Sequence, residues 1–172
     1  MKFLNREISL TGLFIALGVA LPIAFHFINP LAGRTLLPMH LPVLLAGILL
    51  GPISGIIVGL VCPTASFLLT GMPPAYAVPL MTLELVLYGF ASGILMRTLR
   101  IPLIVGLLLA MIVGRLGFAF ALLILGRFIN LPYGIKEFIL VAIPTGLPGI
   151  ILQIILVPIL VKGIQLASRT EM

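Results

Sequence analysis

Charged and amide side chains are rare inside the apolar stretches of this chain, and three of them fall at a similar helical depth. Glu84 is the only acid between Glu7 and Glu137. At 1.5 Å of rise per residue, Glu84 lies roughly 13 Å into its predicted helix. Arg115 lies about eleven residues from the outer end of its helix, and Gln153 about seven residues into its own. In a membrane bundle such groups face inward, where they pair or line a cavity. We expect either a Glu84–Arg115 ion pair with Gln153 joining helices, or a polar cavity.

The cavity is favoured because further polar side chains are predicted directly above this level, on the connecting segments and helix ends. The candidate ligand-binding residues are Asn29, Arg34, His40, Glu84, Arg115, Asn130, Tyr133, Lys136 and Gln153. Burying a carboxyl group in apolar surroundings costs free energy, and a polar ligand could offset this cost by binding it.

Composition places these residues in a membrane protein. Of 172 residues, 62% are hydrophobic and 8% are charged, whereas a soluble domain is about 45–50% apolar and about 25% charged. Too few charges are present to cover a surface that faces water. We predict an all-α integral membrane protein, a bundle of six transmembrane helices with short loops that forms one membrane domain over residues 1–172.

Glycine and proline divide the chain into these spans. Gly51-Pro52 is the natural hairpin, with proline at the first position of the new helix, and the segment 71–74 is a tight turn. Residues 135–143 are predicted to form a separate short helix that is broken off at Thr145–Gly149. The predicted spans are 8–27, 37–50, 52–70, 75–96, 101–126 and 146–167.

The distribution of Lys and Arg predicts the orientation of the bundle. With six spans both termini lie on one side, and that side carries the larger share of the basic residues. Because cytoplasmic loops are enriched in Lys and Arg, we expect both termini in the cytoplasm. The net charge of +6 then reflects topology, and no basic stripe indicates nucleic-acid binding.

Small residues recur every four positions in two places. Gly12, Ala16 and Ala20 form a narrow stripe on the first span, which allows another helix to approach closely. A second row with the same step runs from Gly47 to Gly59 and predicts close packing of spans 2 and 3. Both rows are features of helix–helix contact in membranes.

Catalytic and metal-binding patterns have little support. The two histidines are fourteen residues apart, no HExxH motif occurs, and Cys62 is the one cysteine. The GxSxG elbow and the GxxxxGK[ST] phosphate loop are absent. We therefore predict no metal, no cofactor and no enzymatic activity, and the chain cannot hydrolyse ATP through such a loop.

The chain resembles the substrate-binding S components of energy-coupling factor (ECF) transporters. Length and span count are similar throughout. The motifs that carry the resemblance are AxxxA at Ala16–Ala20, the run Pro38–Gly47 followed by Gly51–Gly55, and Thr70–Pro74 together with Glu84–Gly89.

This resemblance implies a mechanism. An S component of a prokaryotic plasma membrane holds one vitamin or related nutrient near the extracellular side. It docks through the small-residue face of helix 1, here Gly12, Ala16 and Ala20, onto a transmembrane coupling subunit driven by two cytoplasmic ATPases. The partners are thus the nutrient, these subunits and the lipid bilayer.

The sequence does not identify the ligand. Basic groups outnumber acids at and above mid-depth, so a small anionic nutrient is expected, with pantothenate as one candidate and Arg115 as a bidentate partner. If Glu84 faces the ligand instead, a cationic or amine-bearing nutrient follows. The competing class is a self-associating channel or structural membrane protein that captures no solute.

Overall fold

The computed structural model describes residues 2–29, 35–128 and 135–170 of the chain, and this part is helical without any strand. Five of its helical segments are long and apolar enough to cross a membrane, and a shorter apolar helix lies among them. The predicted all-helical membrane fold is confirmed. The helices are α1 (Lys2–Ile28), α2 (His40–Leu50), α3 (Pro52–Thr70), α4 (Val78–Ser92, continued by a π-helical turn over Gly93–Thr98), α5 (Leu103–Leu125) and α6 (Ile135–Thr170).

The α2–α3 hairpin turns at Gly51-Pro52, as predicted. Gly51 has a φ of 111°, a value that side-chain-bearing residues rarely adopt. Pro52 then occupies the first turn of α3, where its missing N–H leaves no helical bond unmade. The hairpin therefore places two helices side by side without a loop.

Helix α2 is unusual because it is both short and deeply buried. Its 11 residues span about 16 Å, roughly half of a ~30 Å hydrocarbon core. Val43, Leu44 and Ala46 are completely buried within the main hydrophobic cluster. Because the residues before it form turns, with Leu37 at a φ of 50°, α2 begins inside the bundle at His40.

Helix α6 differs from the prediction. It runs unbroken for 36 residues, about 54 Å, and includes the segment 135–143. The predicted break at Thr145–Gly149 is wrong. Prolines and glycines in lipid-embedded helices are tolerated because neighbouring helices and local adjustments satisfy the freed backbone groups, so Pro144 and Pro148 do not end this helix.

Glycines bring α3 and α4 into direct backbone contact. A Cβ built on Gly55 would collide with the backbone of Gly89, and the converse holds for Gly89 against Gly55. Gly47 of α2 likewise meets Gly89 and Ser92. The row from Gly47 to Gly59 was predicted to pack spans 2 and 3 against each other. In the structure this row faces α4 instead, because both α2 and α3 pack against the glycine face of α4.

The small-residue stripe of α1 lies on an exposed face of this helix. A Cβ added to Gly12 would have no atom within 4 Å, and Gly12, Ala16 and Ala20 are all exposed. Helix α1 instead meets its neighbours through other positions, such as Gly18 against the Cys62 sulfur. The stripe thus lies on the outer surface of the bundle.

Arg97 joins α4, α2 and α1 at the end of the bundle where α1 begins. Its guanidinium donates to the carbonyl oxygen of Leu49 at the end of α2 and lies 3.4 Å from the Glu7 carboxylate on α1. Both charged side chains are almost half exposed, so this ion pair adds little stability by itself.

Candidate functional site

Glu84 is the centre of a buried polar cluster. The residue is 2% exposed, and its position on α4 brings its carboxylate between α5 and the beginning of α2. Oε1 of Glu84 lies 2.9 Å from Nη1 of Arg115 and 3.6 Å from Nε2 of His40. The structure therefore brings together three of the predicted site residues.

Arg115 is the more accessible partner in this ion pair. Its side chain is 26% exposed, against 3% for Glu84. A Cβ built on Gly146 would lie 2.7 Å from Nη2 of Arg115, so the guanidinium packs against the glycine surface of α6. Nη2 is nevertheless buried with no hydrogen-bond partner.

Tyr88 belongs to the cluster although it was not among the predicted site residues. It is completely buried, its ring packs against Gly114 of α5, and its edge meets the His40 ring with centroids 5.1 Å apart. Tyr88 follows Glu84 by four residues, a spacing that places both side chains on one helix face. That spacing was the signal that could have found it.

Gln153 was expected to line a cavity with Glu84 and Arg115 or to join helices. In the structure it contacts the segment before α2. It is 2% exposed, and its Nε2 donates a 3.4 Å hydrogen bond to the carbonyl oxygen of Leu37. Gly149, one turn earlier, is close to the same segment, since an added Cβ would lie 2.8 Å from the Thr35 carbonyl oxygen. Gln153 thus holds this segment against α6, while its Oε1 stays buried without a partner.

Of the remaining predicted site residues, Asn29 and Lys136 lie in the described part of the chain. Asn29 ends α1, where its N–H donates to the Phe25 carbonyl oxygen over 3.0 Å. Lys136 is exposed in the first turn of α6. Arg34, Asn130 and Tyr133 lie outside the described residues.

A groove lies between the C-terminal halves of α1 and α3. This groove has a volume of about 380 Å³ and is almost entirely apolar, with His26 and Ser66 among its lining residues. Nδ1 of His26 is 2.7 Å from the Pro22 carbonyl oxygen, so that nitrogen is engaged within α1. The groove is separate from the Glu84 cluster and lacks its charges.

The cluster is suited to recognising a polar ligand. Apart from the ion pair, it offers buried polar atoms without a hydrogen-bond partner, namely both ring nitrogens of His40 and Nη2 of Arg115. Buried polar groups are nearly always hydrogen-bonded in proteins. Within residues 2–29, 35–128 and 135–170, no group of three or more His, Cys, Asp or Glu side chains could hold a metal ion.

Comparison with known proteins gives a family for this chain. The family model described as "ECF transporter, substrate-specific component" matches residues 6–161, which is most of the sequence. No curated protein and no solved structure matches the chain.

Proposed function

The chain belongs to the substrate-specific components of ECF transporters, and we propose that it captures a small, carboxylate-bearing nutrient with high affinity from outside a prokaryotic cell. Pantothenate is a candidate ligand. The loaded chain docks on a transmembrane coupling subunit driven by two cytoplasmic ATPases, and both of its termini face the cytoplasm.

The observation that carries this proposal is the set of partnerless polar atoms around a buried ion pair. An unpaired buried polar group costs about 1–3 kcal/mol on protein mutational scales. Both ring nitrogens of His40 and Nη2 of Arg115 are in this state. A bound molecule with matching groups would satisfy them, and this favours a ligand site over a purely structural ion pair.

The charges favour an acidic ligand. Arg115 is the more accessible member of the ion pair, and a guanidinium recognises carboxylates through paired N–H donors. Asn29, Arg34, His40, Asn130, Tyr133, Lys136 and Gln153 remain proposed binding residues together with Glu84 and Arg115.

The surface of α1 supports docking. Its stripe of Gly12, Ala16 and Ala20 is exposed, the space beside Gly12 is open, and small residues let a foreign helix approach closely. Self-association would use the same stripe, so the oligomeric state separates the proposed carrier from a channel or structural protein.

Native mass spectrometry of the protein purified in mild detergent tests the proposal. We expect a monomer that retains one small molecule, and an Arg115→Gln variant that retains at least tenfold less of it. Arg6→Gln is the matched control because Arg6 is exposed at the far end of α1. A stable oligomer without a bound molecule would contradict capture, and equal retention by both variants would contradict the role of Arg115.

A further inference from the structure

The Glu84–Arg115 ion pair engages only part of the arginine. Nη1 of Arg115 lies 2.9 Å from Oε1 of Glu84, yet this oxygen makes no aligned hydrogen bond, and Nη2 has no partner. Arginine binds a carboxylate most strongly through two parallel N–H···O bonds. The observed contact is therefore weaker than the one that a freely placed carboxylate could make.

The approach to the pair is asymmetric. The Arg115 side chain is 26% exposed, whereas that of Glu84 is 3% exposed. A molecule entering the site would meet the guanidinium before it meets the carboxylate, so an incoming acid can compete for Arg115 without first displacing Glu84 from its position in the core.

Glu84 has other donors within reach. Nε2 of His40 lies 3.6 Å from its Oε1, and the buried Tyr88 hydroxyl, one turn further along α4, interacts with both charges of the pair. These groups can support the carboxylate after Arg115 turns away from it, while Arg115, the permanent cation of the pair, then faces the second acid.

Charge balance then restricts the ligand. Glu84 and Arg115 cancel each other, so a ligand that brings only a carboxylate adds one negative charge to a low-dielectric site, which is costly. A ligand that also brings an O–H or N–H donor offers the released Glu84 a hydrogen bond, and an ammonium group restores neutrality.

On the basis of the proposed function, we propose that Glu84 is the residue that determines ligand specificity. The Glu84 carboxylate pairs with Arg115 until the ligand's carboxylate takes its place on the guanidinium. The ligand's own donor then binds the Glu84 carboxylate. The substrate class is a carboxylic acid that also carries a hydroxyl, amide or amine group, and simple carboxylates are rejected.

A Glu84→Ala variant tests whether a carboxylate from solution can occupy Arg115. Sodium acetate should raise its melting temperature by about 3–5 °C at tenfold excess over the dissociation constant. Sodium chloride at equal ionic strength and acetamide should have no such effect, and the Glu84→Ala/Arg115→Gln double variant should not respond to acetate. If the Glu84→Ala protein is folded and acetate does not raise its melting temperature, carboxylates from solution do not bind Arg115. That result would overturn the proposal.

A second measurement does not depend on the folding of that variant. β-Alanine and propionate have the same carboxylate and chain length and differ by an ammonium donor. The wild-type protein should be stabilised more by β-alanine, and Glu84→Gln should lose or reverse this order because its side chain is neutral. Propionate that acts as well as β-alanine on the wild type, or no stabilisation by either probe, would contradict the assigned specificity.

These outcomes are independent of the test of nutrient capture. The probe measurements report exchange at Arg115 and the selection made by Glu84, while native mass spectrometry reports retention of a natural ligand. A protein that retains a nutrient but fails the probe tests keeps its proposed function and loses this inference.

Discussion

At the scale of single residues, the carboxylate of Glu84 has a close partner in Arg115 and a more distant one in His40. The distances from its Oε1 are 2.9 Å and 3.6 Å. Because both partners come from other helices, a change at Glu84 affects the junction of α2, α4 and α5 as well as the proposed ligand site. Stability and binding must therefore be measured separately for each variant.

The ion pair should show strong energetic coupling. Removing one partner of a fully buried pair costs about 3–5 kcal/mol. Since the Arg115 side chain is 26% exposed, we expect a smaller cost of about 1–3 kcal/mol for Arg115→Gln. The Glu84→Gln/Arg115→Gln double variant should be less destabilised than the sum of the single variants, as measured by unfolding of the ligand-free protein in detergent. Strict additivity would argue against a direct interaction.

The pairing of Glu84 with Arg115 could be foreseen because charged groups in lipid have few other options. The partner of Gln153 could not, since it is a backbone carbonyl at Leu37 that only the turn before α2 brings into place. Tyr88 was missed although its spacing of four residues from Glu84 places both side chains on one helix face. The roles of the predicted binding residues stay predictions.

At the scale of helices, the closest packing is made by glycine backbones. Gly55 of α3 and Gly89 of α4 leave no room for a Cβ on either side. Such contacts lock two helices in one register, because any added atom must push the backbones apart. Helix α4, which carries Glu84, is thereby fixed against α3, and the position of the carboxylate follows from it.

Gly89→Ala should destabilise the bundle by about 2–3 kcal/mol, since overpacking against a rigid backbone cannot be relieved by side-chain motion. Gly163→Ala on α6 is the matched control: its added Cβ meets nothing within 4 Å, and replacing a helical glycine with alanine there should be neutral or stabilising by up to about 1 kcal/mol. Melting temperatures in detergent measure both. Equal effects of the two substitutions would contradict the close α3–α4 contact.

The start of α3 was predictable to the residue because proline at the first helical position follows a clear physical rule. The partner of the Gly47–Gly59 row was not, since a stripe of small residues shows that a close contact exists but does not identify the helix that makes it. The continuity of α6 was missed for a related reason. Proline signals that end helices in water are weaker in lipid.

At the scale of the whole molecule, family membership agrees with the resemblance inferred from the sequence. The described helices bury the charged pair inside and leave the α1 stripe outside. The two features thus lie on different surfaces, which allows ligand binding and docking to be perturbed independently.

Ala16→Trp and Ala20→Trp should abolish co-purification with the coupling subunit and block uptake, because an indole ring prevents a foreign helix from approaching α1. Ligand retention by the isolated chain should be unchanged. Ile159→Trp is the control, since Ile159 is 60% exposed on α6 and away from the stripe. Loss of retained ligand in the α1 variants would instead indicate that the stripe supports the binding site.

The shortness of α2 fixes where its first side chain stands. The helix has 11 residues, and His40 at its start lies 3.6 Å from the Glu84 carboxylate. One residue inserted between His40 and the hairpin at Gly51 would turn His40 by about 100° around the helix axis and shift it by about 1.5 Å. The imidazole would then leave the carboxylate, so the length of α2 sets the spacing between the hairpin and the polar cluster.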